Sequence, residues 1–451
     1  MASFLVKDKD FYGQMLKIAV PIAFQNMLTF AVSMMDTVML GSLGEVAISA
    51  SSLANQLTFI LSVIMFGVSG GSNVLISQYW GKKDIGAIHK VLAIMYRVVL
   101  ALVIVFSIVA LFMPEGFLRI FTTDQRVIEQ GVAYLKIVVW SFFFYAVTNV
   151  TLNMLRSVRA VKIAIVVYTV SLLVNTFFNW VFIFGKLGAP AMGIRGAAIG
   201  TLIARITEFA IVIVYMFRYD NKIKLKLKNL LPTDKQMIKD FAVNSFPVIC
   251  NELLWAIGAS ILSVVVARMG TEVVAANSIN NVAMQLVSVM VFGISAAAQV
   301  IVGNTIGAGD YEKLHQVTVT LKIFGIAIGV IAAVMMLAMK PLMMVLYNVS
   351  DLTKVYTGQI MTVTAFLLLF RGPENVNMMG ILRGGGDSRF VLVADIIFMW
   401  TLAIPLGFFV AFQLGWPVAA VFIVLKIDEI LKTFLSFWRL RNNNWVRNVT
   451  R

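Results

Sequence analysis

The chain has 451 residues, 60% of them hydrophobic and 13% charged, with a formal charge of +15 and a mean hydropathy of +0.89. Soluble domains are about half apolar and about a quarter charged. The inverted balance excludes an ordinary cytosolic enzyme, a disordered chain and a secreted disulfide scaffold. The lone cysteine, Cys250, permits no internal disulfide. The basic excess falls between apolar runs, as loop charge does on a polytopic membrane protein, and not as a nucleic-acid surface.

A helical span needs about 20 mostly apolar residues. The sequence predicts an all-α integral membrane protein with twelve spans, at about 14–40, 54–79, 92–113, 133–155, 163–185, 194–217, 241–266, 280–304, 318–339, 357–382, 390–411 and 417–437. Lipid leaves loose backbone unsatisfied, and the runs are too long for barrel strands. The first span is too long for a cleavable signal and follows a mixed head of Lys7, Asp8, Lys9 and Asp10.

With the N-terminus inside, the inner segments hold 23 basic residues: Lys7, Lys9, Lys82, Lys83, Lys90, Arg156, Arg159, Lys162, the run from Arg218 to Lys239, Lys313, Lys322, Arg383, Arg389, Arg439, Arg441, Arg447 and Arg451. The outer segments hold seven: Arg119, Arg126, Lys186, Arg195, Arg268, Lys340 and Lys354. The bias places both termini in the cytoplasm, and the expected location is the plasma membrane of a prokaryote.

Residues 21–91 slide onto 247–317 without a gap, with 17 identities in 71 positions. Pro21 matches Pro247, Gly44 matches Gly270, Asn55 matches Asn281, and Gly81, Asp84 and His89 match Gly307, Asp310 and His315. Met154-Leu155-Arg156 also echoes Ile381-Leu382-Arg383. Six spans per half make the halves parallel repeats about a pseudo-twofold axis along the membrane normal, with a site expected near midplane between them. The expected organisation is a six-helix lobe at 1–218, a basic cytoplasmic linker at 219–240 and a second six-helix lobe at 241–451. In the linker, Lys222, Lys224, Lys226 and Lys228 alternate, as a solvated inner loop or a segment on anionic lipid would.

No G-x-x-x-x-G-K-[ST] loop is present and no His/Cys cluster has metal-ligand spacing; His89 and His315 are read as repeat features. The expectation is no enzyme activity and no cofactor, with energy drawn from an ion gradient or the substrate's own.

Ionisable groups inside spans are costly, so each is a functional candidate. Asp36, in the outer part of span 1, has Leu262 as its repeat counterpart, and Glu252, five residues after Pro247, has Asn26. Span 10 carries Arg371, Gly372, Pro373 and Glu374. Arg371 lies about twelve residues, roughly 18 Å, from the inner end. Glu374 shares its face, which allows a self-neutralised pair, and Gly372-Pro373 is expected to break or kink the helix. Asn175 and Asn179 stand one turn apart in span 5. Arg205 with Glu208, Lys426 with Glu429 and Asp428 with Lys432 are read as local structural pairs, and Asp395 as an acid near an inner end within reach of water.

Together these residues resemble the multidrug and toxic compound extrusion (MATE) family over about residues 12–440. The resemblance rests on the duplicated halves and on Asp36-Thr37-Val38-Met39 with Gly41, Gly81 to Asp84, Asn175 and Asn179, Gly193 with Gly196-Ala197-Ala198 and Thr201, and Ile381 to Asp387. It implies that Asp36, Asn175, Asn179 and Thr201 form a polar site in the first lobe. It also implies that Glu252 and Glu374 form a cation site in the second, as in the NorM-type branch, with Arg371 beside it.

The resulting expectation is a monomeric secondary antiporter exporting organic, often cationic amphipathic compounds in exchange for Na⁺ or H⁺, with Na⁺ favoured at Glu252 and Glu374. The alternative of the same superfamily is a flippase for lipid or polyprenyl-linked sugar, for which Arg205, Arg371 and Lys426 would supply a basic cavity. A membrane transferase would need paired acids or His in a sizeable loop, and the stretches at about 114–132 and 219–240 show none.

Overall fold

The protein is seen in a computed structural model that describes residues 5–6, 8–231, 234–347 and 349–450. Lys7 and Arg451, counted above among the inner basic residues, lie outside the described residues. Helices dominate, and no strand occurs among the described residues.

In chain order the helices are α1 (Lys9–Gly41), α2 (Glu45–Gly81), α3 (Ile85–Phe112), α4 (Pro114–Arg119), α5 (Gln125–Val138), α6 (Ser141–Ser157), α7 (Lys162–Phe184) and α8 (Ile194–Val214). They continue with α9 (Lys235–Arg268), α10 (Thr271–Gly307), α11 (Tyr311–Leu346), α12 (Asp351–Asn375), α13 (Ser388–Asp395), α14 (Ile404–Phe412), α15 (Val418–Leu425) and α16 (Ile427–Arg439). One π-helical turn, Tyr215–Tyr219, extends α8. Another, Val376–Leu382, extends α12, and a third, Ile396–Ala403, joins α13 to α14.

Ten helices among the described residues are long and apolar enough to cross a membrane, and the bent pair α5–α6 would be an eleventh. The expected fourth span is therefore not one straight helix from 133. It starts at Gln125 and bends by 56° between Val138 and Ser141. The stretch 114–132, expected as a loop, is mostly helical. Asp124 starts α5 by accepting from the Arg126 backbone N–H at 2.9 Å. The expected twelfth span is broken at Lys426 into pieces of 8 and 13 residues. A straight helix carrying Lys426, Asp428, Glu429 and Lys432 would set charge against lipid. The break accompanies burial of Asp428, Glu429 and Lys432 in protein.

Span 10 differs from expectation in a related way. Helix α12 runs unbroken through Gly372-Pro373. Gly372 packs against Gly325 and Gly329 of α11 so closely that a Cβ would strike the Gly329 backbone, and Pro373 lies over the same two glycines. Small residues bring the two backbones together. The backbone groups that proline disturbs are taken up downstream, where the Val376 N–H reaches the Gly372 and Pro373 carbonyls and the π turn begins.

The chain divides into two compact units. Unit 1 comprises Met1–Ala23, Asn73–Asp84 and Val243–Arg451, and unit 2 comprises Phe24–Ser72 and Ile85–Ala242. Within unit 1 the inner ends of α2 and α10 meet backbone to backbone. A Cβ on Gly81 would collide with Asn304, and one on Gly307 would collide with Gln78. These contacts are reciprocal under the 226-residue repeat, since position 78 maps to 304 and 81 to 307. A twofold relation between repeats requires such reciprocity.

The described linker residues belong to unit 2 and form a packed strap. His89 Nε2 bonds the Ile223 carbonyl at 2.9 Å, Arg97 donates to the Leu230 and Leu231 carbonyls, and Lys90 pairs with Asp234 at 3.2 Å. Lys222 donates to the Val158 and Arg159 carbonyls at the end of α6. Burial and the neighbouring Arg159 hold its ammonium below the usual lysine range.

Candidate functional site

Unit 2 holds a polar centre around Asp36. This residue lies five positions before the end of α1, about 7.5 Å along the helix. Its carboxylate accepts from Asn179 Nδ2 at 2.6 Å, and the same amide group lies 3.3 Å from Asn175 Oδ1. Asn175 and Asn179 are both buried on one face of α7. Helix α8 reaches them because Gly200 has no side chain, as a Cβ there would strike the Asn179 amide. Thr201 stands next along α8 near the Tyr134 hydroxyl, which donates to Asn55 at 3.4 Å. The Asn179 Oδ1 atom is buried without a hydrogen-bond partner. Asp36 makes no ion pair among the described residues. The nearby Arg205 is committed to Glu208 at 2.8 Å, and Ser171 also donates to Glu208. The Arg205 guanidinium stacks over Tyr145 at 4.8 Å.

Unit 1 holds a charge network. Arg383 Nη1 lies 2.8 Å from Glu252, and Nη2 donates to Asn251, whose amide in turn donates to Asp395. Lys432 meets Asp395 at 2.8 Å, Asp428 at 3.0 Å and Glu374 at 3.6 Å. Glu374 also accepts from Asn375 at 2.9 Å, and Arg371 pairs with Glu429 at 3.1 Å. Five acids (Glu252, Glu374, Asp395, Asp428 and Glu429) thus face three bases (Arg371, Arg383 and Lys432). Lys426, partly exposed at the α15–α16 break, adds a fourth positive charge close to Asp428. Charges this deep persist only when paired and bonded.

The geometry revises several sequence expectations. Arg371 does not neutralise Glu374; its partner is Glu429, on α16. Glu429 accordingly faces Arg371, not Lys426. Asp395 does not reach water; it is buried between Asn251 and Lys432. Glu252 and Glu374 each face a cation supplied by the chain, Arg383 and Lys432 respectively. Asp428 does pair with Lys432, and Arg205 with Glu208, as the helical spacing predicts. Sequence reasoning missed Asn251, Arg383 and Lys432 as members of one network. Lys432 had a visible signal, since a lysine in an apolar run needs an anion.

The MatE family profile matches this chain twice, over residues 21–181 and 247–409. The chain belongs to the MATE family. The two matches start 226 residues apart, at Pro21 and Pro247, which is the offset of the internal repeat. Among similar proteins, a Thermotoga maritima protein named probable multidrug resistance protein NorM is 25% identical, covering 97% of this chain and 93% of its own. The multidrug resistance protein MdtK of Yersinia pseudotuberculosis is 23% identical, over 94% of this chain and 96% of its own. A solved multidrug resistance MATE family transporter in an outward-facing conformation superimposes with a TM-score of 0.85 at 17% identity, covering 97% of this chain and 98% of that one. This MATE chain is therefore an integral, multi-pass membrane transporter with the all-helical, two-lobed fold of its family.

Proposed function

We propose that this transporter is a secondary antiporter that exports organic, often cationic amphipathic drugs or toxic compounds in exchange for H⁺ or Na⁺ by alternating access. The multidrug-resistance names of its relatives support the substrate class. The distribution of 23 inner against seven outer basic residues supports a plasma-membrane orientation with both termini cytoplasmic.

The observation that carries the reading is Asp36. Exchange needs a negative group satisfied in turn by substrate and by ion. Asp36 is held by the Asn179 amide and, among the described residues, by no ion pair, which leaves its charge available to a guest. Asn175, Asn179 and Thr201 supply polar contacts around it. H⁺ is the favoured guest there, because a proton needs no ligand shell. The acid excess in unit 1 supports a second exchangeable cation, Na⁺ or H⁺, near Glu252 and Glu374, entering as Arg383 or Lys432 moves aside. The flippase alternative loses support, since Arg205 and Arg371 each carry their own acid.

The test is export of a fluorescent organic cation from vesicles, with the pH and Na⁺ gradients imposed separately. A pH gradient is expected to drive export, and Asp36→Asn to reduce it to the rate of protein-free vesicles. Full export by folded, inserted Asp36→Asn, or no response to either gradient, would remove the proposal.

A further inference from the structure

Of the seven basic residues on the sparsely charged side of the chain, Lys340 and Lys354 meet at one cavity. It measures about 550 Å³ and lies at the junction of α11, α12 and α15. Met344, Val355, Val363 and Ala419 line its apolar part.

Lys340 sits six residues before the end of α11, about 9 Å along the helix. A lysine so placed ordinarily extends its stem toward water at the helix end. Here it runs the other way. Its Cε passes Gly358, where an added Cβ would come within 3.3 Å of it, and its Nζ donates to Thr362 at 3.0 Å, one turn further from the start of α12. No carboxylate forms an ion pair with Lys340 among the described residues. Among the described residues Lys354 pairs with Asp351 alone, at 3.6 Å, and that acid is fully exposed. Two ammonium groups therefore share an open, mostly apolar recess with one fully hydrated carboxylate, which pairs with Lys354 alone among the described residues. The helix ends around it expose Leu342, Val345, Leu346, Leu352 and Val355, as a lipid-facing rim does.

We propose that this recess binds the phosphate-bearing head of an anionic membrane lipid, with the ammonium groups of Lys340 and Lys354 on the phosphate and an acyl chain along Val355 and its apolar neighbours. A phosphate accepts hydrogen bonds from both amines and supplies negative charge, while the apolar wall favours an anion that carries an acyl chain over a purely hydrophilic one. The site is separate from Asp36 and from the charge network of unit 1, and its occupancy is read without transport.

The test uses the full chain purified in detergent and supplied with phosphatidylglycerol, phosphatidylcholine or inorganic phosphate, reading retained lipid by native mass spectrometry and the unfolding temperature. Phosphatidylglycerol is expected to be retained and to raise the unfolding temperature saturably, with the other two inert. Lys340→Met and Lys354→Met are each expected to weaken retention at least tenfold, and Lys340→Arg to keep it. Equal retention of phosphatidylcholine, stabilisation by inorganic phosphate alone, or undiminished phosphatidylglycerol binding by the variants would overturn the proposal. If Lys340→Met does not fold, Lys354→Met on the neighbouring helix carries the same readout.

Discussion

Arg383→Gln tests whether the unit 1 network is one coupled object. The guanidinium is 3% exposed and stands 2.8 Å from a Glu252 side chain that is 10% exposed. At an effective dielectric of about 20, a unit-charge pair at this distance has a gross attraction of about 6 kcal/mol. Desolvation of the two ions cancels much of it, at several kcal/mol each, so the intact pair is worth little against two neutral groups. Removing one partner is different. Arg383→Gln strands the Glu252 carboxylate and takes a donor from Asn251, at a cost of about 3–5 kcal/mol. Glu252→Gln leaves Arg383 with Asn251 as its one partner among the described residues and is expected to cost a similar amount. The double variant removes both charges, so its loss falls short of the summed single losses by at least about 2–3 kcal/mol. Unfolding of the four purified proteins in one detergent, by denaturant titration, closes the cycle. Additivity to within about 0.5 kcal/mol would refute the reasoning, because uncoupled sites add to that tolerance.

Three further outcomes follow from the packing. Trp445 is 2% exposed and its ring covers Gly385, while Gln78 bonds the backbone of Arg447 and Val449. Trp445→Ala is expected to cost about 3–5 kcal/mol and to open the C-terminal tail to limited proteolysis. Gly307→Ala drives a methyl into the Gln78 backbone. Its expected cost is about 1–3 kcal/mol, read as a lowered unfolding temperature, whereas Gly309→Ala meets no neighbour and tests only the left-handed turn. Hydrogen bonds from Lys90 and from the Met237 and Gln236 backbone hold Asp234 below the usual carboxylate range. A depressed folded value contributes stability above the unfolded value and loses it as pH falls through the folded one. Hydrogen exchange of the strap should therefore rise in acid below the ordinary aspartate range, and Asp234→Asn should abolish that rise.

Much of the architecture was legible because its causes are local or repetitive. Apolar run length marks most spans, and the aligned Pro21/Pro247 and Gly81/Gly307 mark the duplication. The breaks were not legible, since they depend on partners remote in sequence. Gly372-Pro373 looks like a helix breaker until α11 presents Gly325 and Gly329, which turn it into a packing surface. Span 12 looks continuous until its charges must find acids and bases elsewhere in unit 1. Pairing choice failed for the same reason. Helical spacing correctly joins Asp428 to Lys432, yet it also offers Glu374 to Arg371, whose actual partner is 58 residues away. The Asn175–Asn179 face was legible from its spacing of four. The contact of Asn179 with Asp36, on another helix, was anticipated only through the family resemblance.

The two halves of the chain share backbone solutions and diverge in charge, and the divergence separates two kinds of cation chemistry. Close approach fixes the glycines in both halves, because any side chain at Gly81 or Gly307 collides with the partner backbone. No such constraint protects a charge inside a span, where it is costly unless used. Arg383 in unit 1 faces Glu252. Its equivalent Arg156 has Asn26 at the position of that acid and makes no ion pair among the described residues. Unit 2 places its own acid ten residues further along α1, at Asp36, where the repeat carries Leu262. One unit thus holds a dense network with more acids than bases, and the other, beside its Arg205–Glu208 pair, a carboxylate cradled by amides and held by no ion pair among the described residues. A network already rich in internal cations responds to a guest by rearranging its pairs. A lone amide-held acid responds by changing its own charge state or partner. Substitutions in the two units should therefore fail differently: Asp36→Asn in ion-driven export with stability retained, and Arg383→Gln first in stability.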